Sequence, residues 1–142
     1  MDRFDLAAAK VGDKLPVHVR GPITRTTLAL YAGASNDHTP FHIDIDYAKA
    51  AGMDDVIAHG MLSMAYLGQL LTSIAPQDKL RSWSARFLAI TPVHATVRAT
   101  GEIVELFEDA GERRARLRVA CYIDGDIKAL EGTAVVAVGQ TR

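Results

Sequence analysis

The sequence predicts an α+β fold in which one buried helix packs against a meander of antiparallel strands. Three observations predict it. The longest apolar helical pattern, from Gly60 to about Ala75, lies mid-chain. The part that follows Pro76 alternates apolar and polar residues with period two. Turn signals at Glu108–Glu112 and Asp124–Gly125 cut that alternating half into strands.

The elements follow in order. Thr24 is placed to cap a helix through Leu28, Leu30 and Tyr31, with Ala32, Gly33 and Ala34 packing closely near its end. The stretch from Asp37 to His42 cannot continue that helix. Pro40 lacks an amide proton and pushes Thr39 out of the α region. A short helix runs from Asp46 to Ala51, with Gly52 in a left-handed cap, and Asp54–Asp55 make a turn. Met61, Leu62, Met64, Ala65, Leu67, Leu70, Leu71 and Ile74 cover most of the next helix, which predicts a buried one ended by Pro76. Strands then follow at Trp83–Ala89, at Val97–Ile103, at Ala115–Ile123 with an arginine-rich outer face, and at Ala129–Val138 after the Asp124–Gly125 hairpin.

Composition excludes several classes. The 142 residues suit one domain spanning 1–142, and 49% hydrophobic with 23% charged residues is an ordinary globular balance. A net charge of −1 gives no footprint for nucleic acid or an anionic membrane. The single Cys121 excludes an internal disulfide and fits a reducing compartment. The run from Met61 to Ala75 is too short to span a bilayer. The polar opening Met1-Asp2-Arg3-Phe4-Asp5 gives no reason to expect secretion, so a cytoplasmic protein is expected.

The chemistry concentrates in Ser35-Asn36-Asp37-His38-Thr39-Pro40-Phe41-His42, followed by Ala58-His59-Gly60-Met61. Asp37 and His42 lie five residues apart, a spacing that would set them about 140° apart on a continuous helix. A proline-broken loop lets them converge on one water. An imidazole exchanges protons near neutral pH, and a carboxylate can polarise the water and orient the ring. Gly60 opens the long helix, so its amide is an unpaired donor aided by the helix dipole and can serve as an oxyanion hole. A metal site from His38, His42, His59 and Asp44 is disfavoured, because Pro40 leaves no His-x-x-x-His on one helical face. His59 reads as a residue that positions the turn before Gly60.

These motifs carry a resemblance. With Val11-Gly12-Asp13, Tyr31-Ala32-Gly33, Arg86-Phe87 and Pro92-Val93 they resemble the MaoC-like (R)-specific enoyl-CoA hydratases and (3R)-hydroxyacyl-ACP dehydratases of the hotdog fold. The family loop reads roughly Ser-Gly-Asp-x-Asn-Pro-(Ile/Leu)-His. Here Asn36, Thr39 and Phe41 depart from it, while Ser35, Asp37, Pro40 and His42 match. The resemblance implies a single hotdog domain, a curved antiparallel sheet wrapped around a long central helix. It also implies a hydro-lyase that hydrates trans-2-enoyl thioesters to (3R)-3-hydroxyacyl thioesters. Asp37 and His42 would activate water, and the Gly60 amide would hold the oxyanion. No metal or redox cofactor is expected, since the substrate arrives as a CoA or phosphopantetheine thioester.

The same resemblance places His59, Met61, Met64 and Gly68 near the substrate, and Arg86 is the expected phosphate contact, with Lys79 or Arg81 as alternatives. Many (R)-hydratases carry serine where this chain has Gly68, which predicts room for a bulkier acyl group. Asn36 costs little if its backbone is left-handed, and the Thr39 hydroxyl can partly replace the missing amide brace. A homodimer is expected because an open sheet edge invites pairing, or a heterodimer with a related hotdog subunit. The alternatives to hydration are a hotdog thioesterase and one subunit of a heteromeric dehydratase.

Overall fold

The computed structural model describes residues 3–140; Met1 and Asp2 of the polar opening lie outside the described residues. A 3-10 turn at Leu6–Ala8 precedes β1 (His18–Arg20), α1 (Arg25–Ser35), α2 (Ile45–Ala50) and α3 (Gly60–Ile74). Four long strands complete the chain: β2 (Leu80–Phe87), β3 (Val97–Asp109), β4 (Glu112–Ile123) and β5 (Ile127–Gln140). The strands form one antiparallel sheet in the order β1-β3-β4-β5-β2.

The capping residues act as their types dictate. The Thr24 hydroxyl accepts the Thr27 amide at 3.0 Å, starting α1. Asn36 ends it in the left-handed conformation at φ 57°, the setting in which asparagine substitutes for glycine at little cost. Asp44 caps α2 by accepting the amides of Asp46 and Tyr47. The short β1 pairs with the start of β3 and was not foreseen.

Alternation along the central strands sorts side chains between two faces. Leu117 on β4 stands opposite Ile103 on one side and Ala134 on the other, and all three are fully buried. With Val97, Ala99, Val119 and Leu130 they form the wall against which Leu67, Leu70 and Leu71 of α3 pack. Bulges at Val104 in β3 and at Ala129 in β5, opposite the Cys121–Tyr122 step of β4, bend the sheet around the helix. Where β2 lies across β5, a Cβ on Gly132 would come 1.9 Å from the Ser84 carbonyl, so only glycine permits that approach.

Two expectations are corrected. The long helix is buried along one face rather than all round: Leu62, Ser63, Leu67, Leu70, Leu71 and Ile74 are covered, while Met61 and Ala65 are exposed. The apolar residues that filled its circumference include a stripe that this chain alone does not cover. The room expected beside Gly68 is also missing. The Trp83 indole fills it, so that a Cβ on Gly68 would meet the ring at 2.8 Å.

Candidate active site

The loop between α1 and α2 owes its shape to its sequence. Asn36 turns the chain out of α1, and Pro40 opens a single 3-10 turn that ends on His42. The His42 ring is then pinned: its Nδ1 lies 2.7 Å from the Ile57 carbonyl. A carbonyl only accepts, so Nδ1 carries the proton and the Nε2 lone pair is free. That nitrogen faces Asp37 Oδ2 at 4.0 Å. Asp37 is braced by its neighbour, with Thr39 Oγ1 donating to Oδ1 at 2.7 Å and the Thr39 amide at 3.2 Å. The hydroxyl bond, and then the amide bond, hold the Asp37 carboxyl below its ordinary value. Thr39 therefore braces Asp37 through both its hydroxyl and its amide.

Beneath this pair lies His59, 1% exposed, stacked on His42 with ring centroids 3.8 Å apart. Its Nε2 donates to the Asp37 carbonyl at 3.0 Å, and the Tyr31 ring meets it edge-on. Burial pushes its pKa down, with the nearby His42 adding to the effect against the opposing pull of the Asp37 carbonyl. The residue is a neutral pedestal that ties the Asp37 backbone to the His42 ring.

His59 also stands at the N-cap of α3 without a side-chain cap bond, so the helix begins with bare amides. The Gly60 amide finds no acceptor among the described residues. Ring, amide and loop converge on a cleft of about 200 Å³ lined by His42, Gly60, Ser63, Phe87, Thr91 and Leu130. Its wall is tied to the Asp37–His42 loop through the Ile57 amide on the Phe41 carbonyl and the Ala58 amide on the Thr91 carbonyl. A larger hollow of about 500 Å³ lies beside Lys14, Glu102 and Arg118, on the sheet face away from these groups.

Asp37, His42 and His59 lie together, and His42 shares its cleft with Gly60. The other expected contacts do not join them. Arg86 projects from β2 opposite to Ala85 and Phe87, and Phe87 is the one lining the cleft. Arg81 is held by Glu112 at 2.8 Å. Met61 is exposed, Met64 leans on the core, and Gly68 sits two turns along α3 under Trp83. Sequence reasoning missed Ser63 and Thr91 as lining residues. The signal for Ser63 was a hydroxyl three residues after Gly60 in an otherwise apolar run.

Asp37, His42 and His59 each offer a ligand atom within 4.8 Å of the others. The stacked rings run nearly parallel, at 22°, and one nitrogen of each bonds a carbonyl. Asp44 is occupied in capping α2, and His38 is exposed.

One helix wrapped by a curved antiparallel sheet is the hotdog architecture. The (R)-hydratase from A. caviae has this architecture: it matches with a TM-score of 0.79 and 27% identity over 91% of this chain and 96% of that one. The chain belongs to the MaoC-like domain family, whose pattern covers residues 7–120. It stands among that family's hydratase and dehydratase enzymes. It is 30% identical to the (R)-specific enoyl-CoA hydratase of Rhodospirillum rubrum over 82% of this chain and 80% of that protein. It is 31% identical to 3-hydroxyacyl-thioester dehydratase Z of Mycobacterium tuberculosis over 92% of this chain and 85% of that protein. No helix among the described residues is long and apolar enough to cross a membrane.

Proposed function

We propose that this protein adds water reversibly to a trans-2-enoyl thioester, giving the (3R)-3-hydroxyacyl thioester. The observation that carries the reading is the 4.0 Å separation of two acceptors, Asp37 Oδ2 and His42 Nε2, of which His42 lines the cleft that also receives the Gly60 amide. Two acceptors at that distance suit one water that donates a hydrogen bond to each, at ~2.8 Å. His42 Nε2 takes a proton as the water oxygen bonds C3. The C2–C3 π electrons shift toward the thioester, and the charge that develops on its oxygen is met by the Gly60 N–H. The imidazolium then returns the proton to C2, so the overall change is addition of H and OH with the enzyme restored. Asp37 holds the water and stabilises the imidazolium.

The reaction needs no metal or redox cofactor, and the thioester can ride on CoA or on a phosphopantetheine carrier. The assembly we propose is a two-fold dimer, as homodimer or with a related subunit. Supporting it, β2 pairs only on its β5 side, and Met61, Phe87, Leu88 and Ile90 are exposed apolar side chains on and beside the cleft wall. The test is loss of the conjugated enoyl-CoA chromophore on adding protein, with chiral analysis of the product. Wild-type protein should produce the (3R) isomer, and Asp37→Asn should lose at least about 10²-fold in kcat. Full activity in Asp37→Asn, or release of free CoA thiol in place of hydration, refutes the reading.

A further inference from the structure

Among the described residues, three buried side-chain atoms have no hydrogen-bond partner: His59 Nδ1, Trp83 Nε1 and the hydroxyl of Ser63. Ser63 differs from the others because it also lines the candidate cleft. It is 2% exposed, and its carbonyl receives the Cys121 thiol at 3.6 Å from the sheet side. Serine hydroxyls in helices ordinarily bond back to a carbonyl one turn earlier, and this one does not. A buried hydroxyl left unpaired costs stability, so its presence at the wall of a binding cleft calls for a partner that arrives with the ligand.

Helix geometry indicates where that partner lies. Residues three apart share a face, and side chains lean toward the helix amino end. Ser63 Oγ therefore reaches back along the face of α3 that begins at Gly60, whose bare amide opens on the same cleft. We propose that the Ser63 hydroxyl is a second oxyanion donor, bonding the same thioester oxygen as the Gly60 N–H. This rests on the hydratase reading and adds a catalytic residue to it. The donor is neutral and held on a helix, so it needs no reorganisation as charge develops on the oxygen. Because the Ser63 hydroxyl gains its partner only from the ligand, it acts in catalysis without contributing to the stability of the free protein.

The experiment pairs kinetics with thermal unfolding. Ser63→Ala should lower kcat about 10²-fold with a smaller change in KM, and should leave Tm unchanged or raised, since an unpaired buried hydroxyl is removed. Ser63→Cys, close in volume but a weak donor, should fall between the two. The thioester carbonyl stretch of a bound saturated acyl-CoA should shift back toward its solution frequency in Ser63→Ala. A kcat within threefold of wild type together with an unmoved carbonyl stretch overturns the proposal. A fall in Tm with unchanged kcat overturns it in favour of a structural hydroxyl. Absence of hydration by the wild-type protein overturns the hydratase reading itself, which Ser63→Ala kinetics alone cannot do.

Discussion

Replacing Gly60 with proline isolates the backbone donor from everything around it. Gly60 is the first residue of α3, where an amide has no intrahelical acceptor, so proline removes no helix bond there. The preceding residue is already suited: His59 has φ −59° and ψ 131°, the extended region a following proline demands. The remaining obstacle is the new Cβ, which would lie 3.1 Å from the Phe87 ring. That ring is 51% exposed and can swing aside. Proline also restricts the unfolded chain, worth about 0.4–1 kcal/mol in favour of folding. The two effects offset, so stability should stay within about 1 kcal/mol of wild type and Tm within about 5 °C. The oxyanion, by contrast, loses a charge-assisted donor. That loss costs about 3–4 kcal/mol, or roughly 10²–10³ in kcat. Gly60→Ala is the control, because it carries the same Cβ and keeps the N–H. Steady-state hydration of an enoyl-CoA, alongside thermal melts, reads both variants. If Gly60→Pro retains kcat within threefold of Gly60→Ala, the backbone amide is not the oxyanion donor.

Two further substitutions test the brace and the packing. Thr39→Val deletes the hydroxyl that does most to hold the Asp37 carboxyl low. The carboxylate form is the one required, so the acid limb of kcat/KM should move to higher pH. The lowered carboxyl stabilises the fold above the ordinary aspartate value near ~4 and loses that contribution as pH falls through its folded value, so wild type and variant should differ in stability only above the lower limit. An unmoved acid limb would show that Asp37 does not govern it. Gly68→Ser forces the sole tryptophan to shift, since the added Cβ sits 2.8 Å from its ring. We expect a loss of about 1–3 kcal/mol and altered Trp83 emission, and unchanged emission with unchanged Tm would mean the space is open after all.

Much of this was legible because local chemistry and tertiary structure agree. Period-two alternation located β3, β4 and β5, whose inner residues are the buried ones. Pro40 fixes its own φ and Asn36 tolerates the left-handed turn that ends α1, so the loop was readable from local chemistry. What stayed hidden depends on contacts between distant segments. β1 is three residues long, too few to show a period, and exists because β3 offers it an edge. Trp83 reaches Gly68 only after the sheet curls around α3. Arg86 was expected as a phosphate contact at the pocket mouth, yet it faces away from the cleft-lining Phe87 because neighbours on a strand face opposite ways, and that rule was available from the sequence. The covering of α3 was misjudged for a different reason. Hydrophobicity reports what must be buried somewhere, and this chain by itself buries only one side.

The groups proposed to move protons and hold charge, Asp37, His42, Gly60 and Ser63, all come from one short stretch of chain, residues 37–63. Much of the cleft's remaining wall, Phe87, Ala89, Ile90 and Thr91 with Ala129 and Leu130, comes from the end of β2, the loop after it and β5, far along the sequence. The two parts meet through main-chain hydrogen bonds such as that from Ala58 to Thr91, which do not depend on side-chain identity. Inheritance can therefore act on them separately. Substitutions in the strand wall can reshape which acyl chain is admitted while the reacting groups keep their spacing, so one ancestral stretch can be carried unchanged through descendants of differing diet.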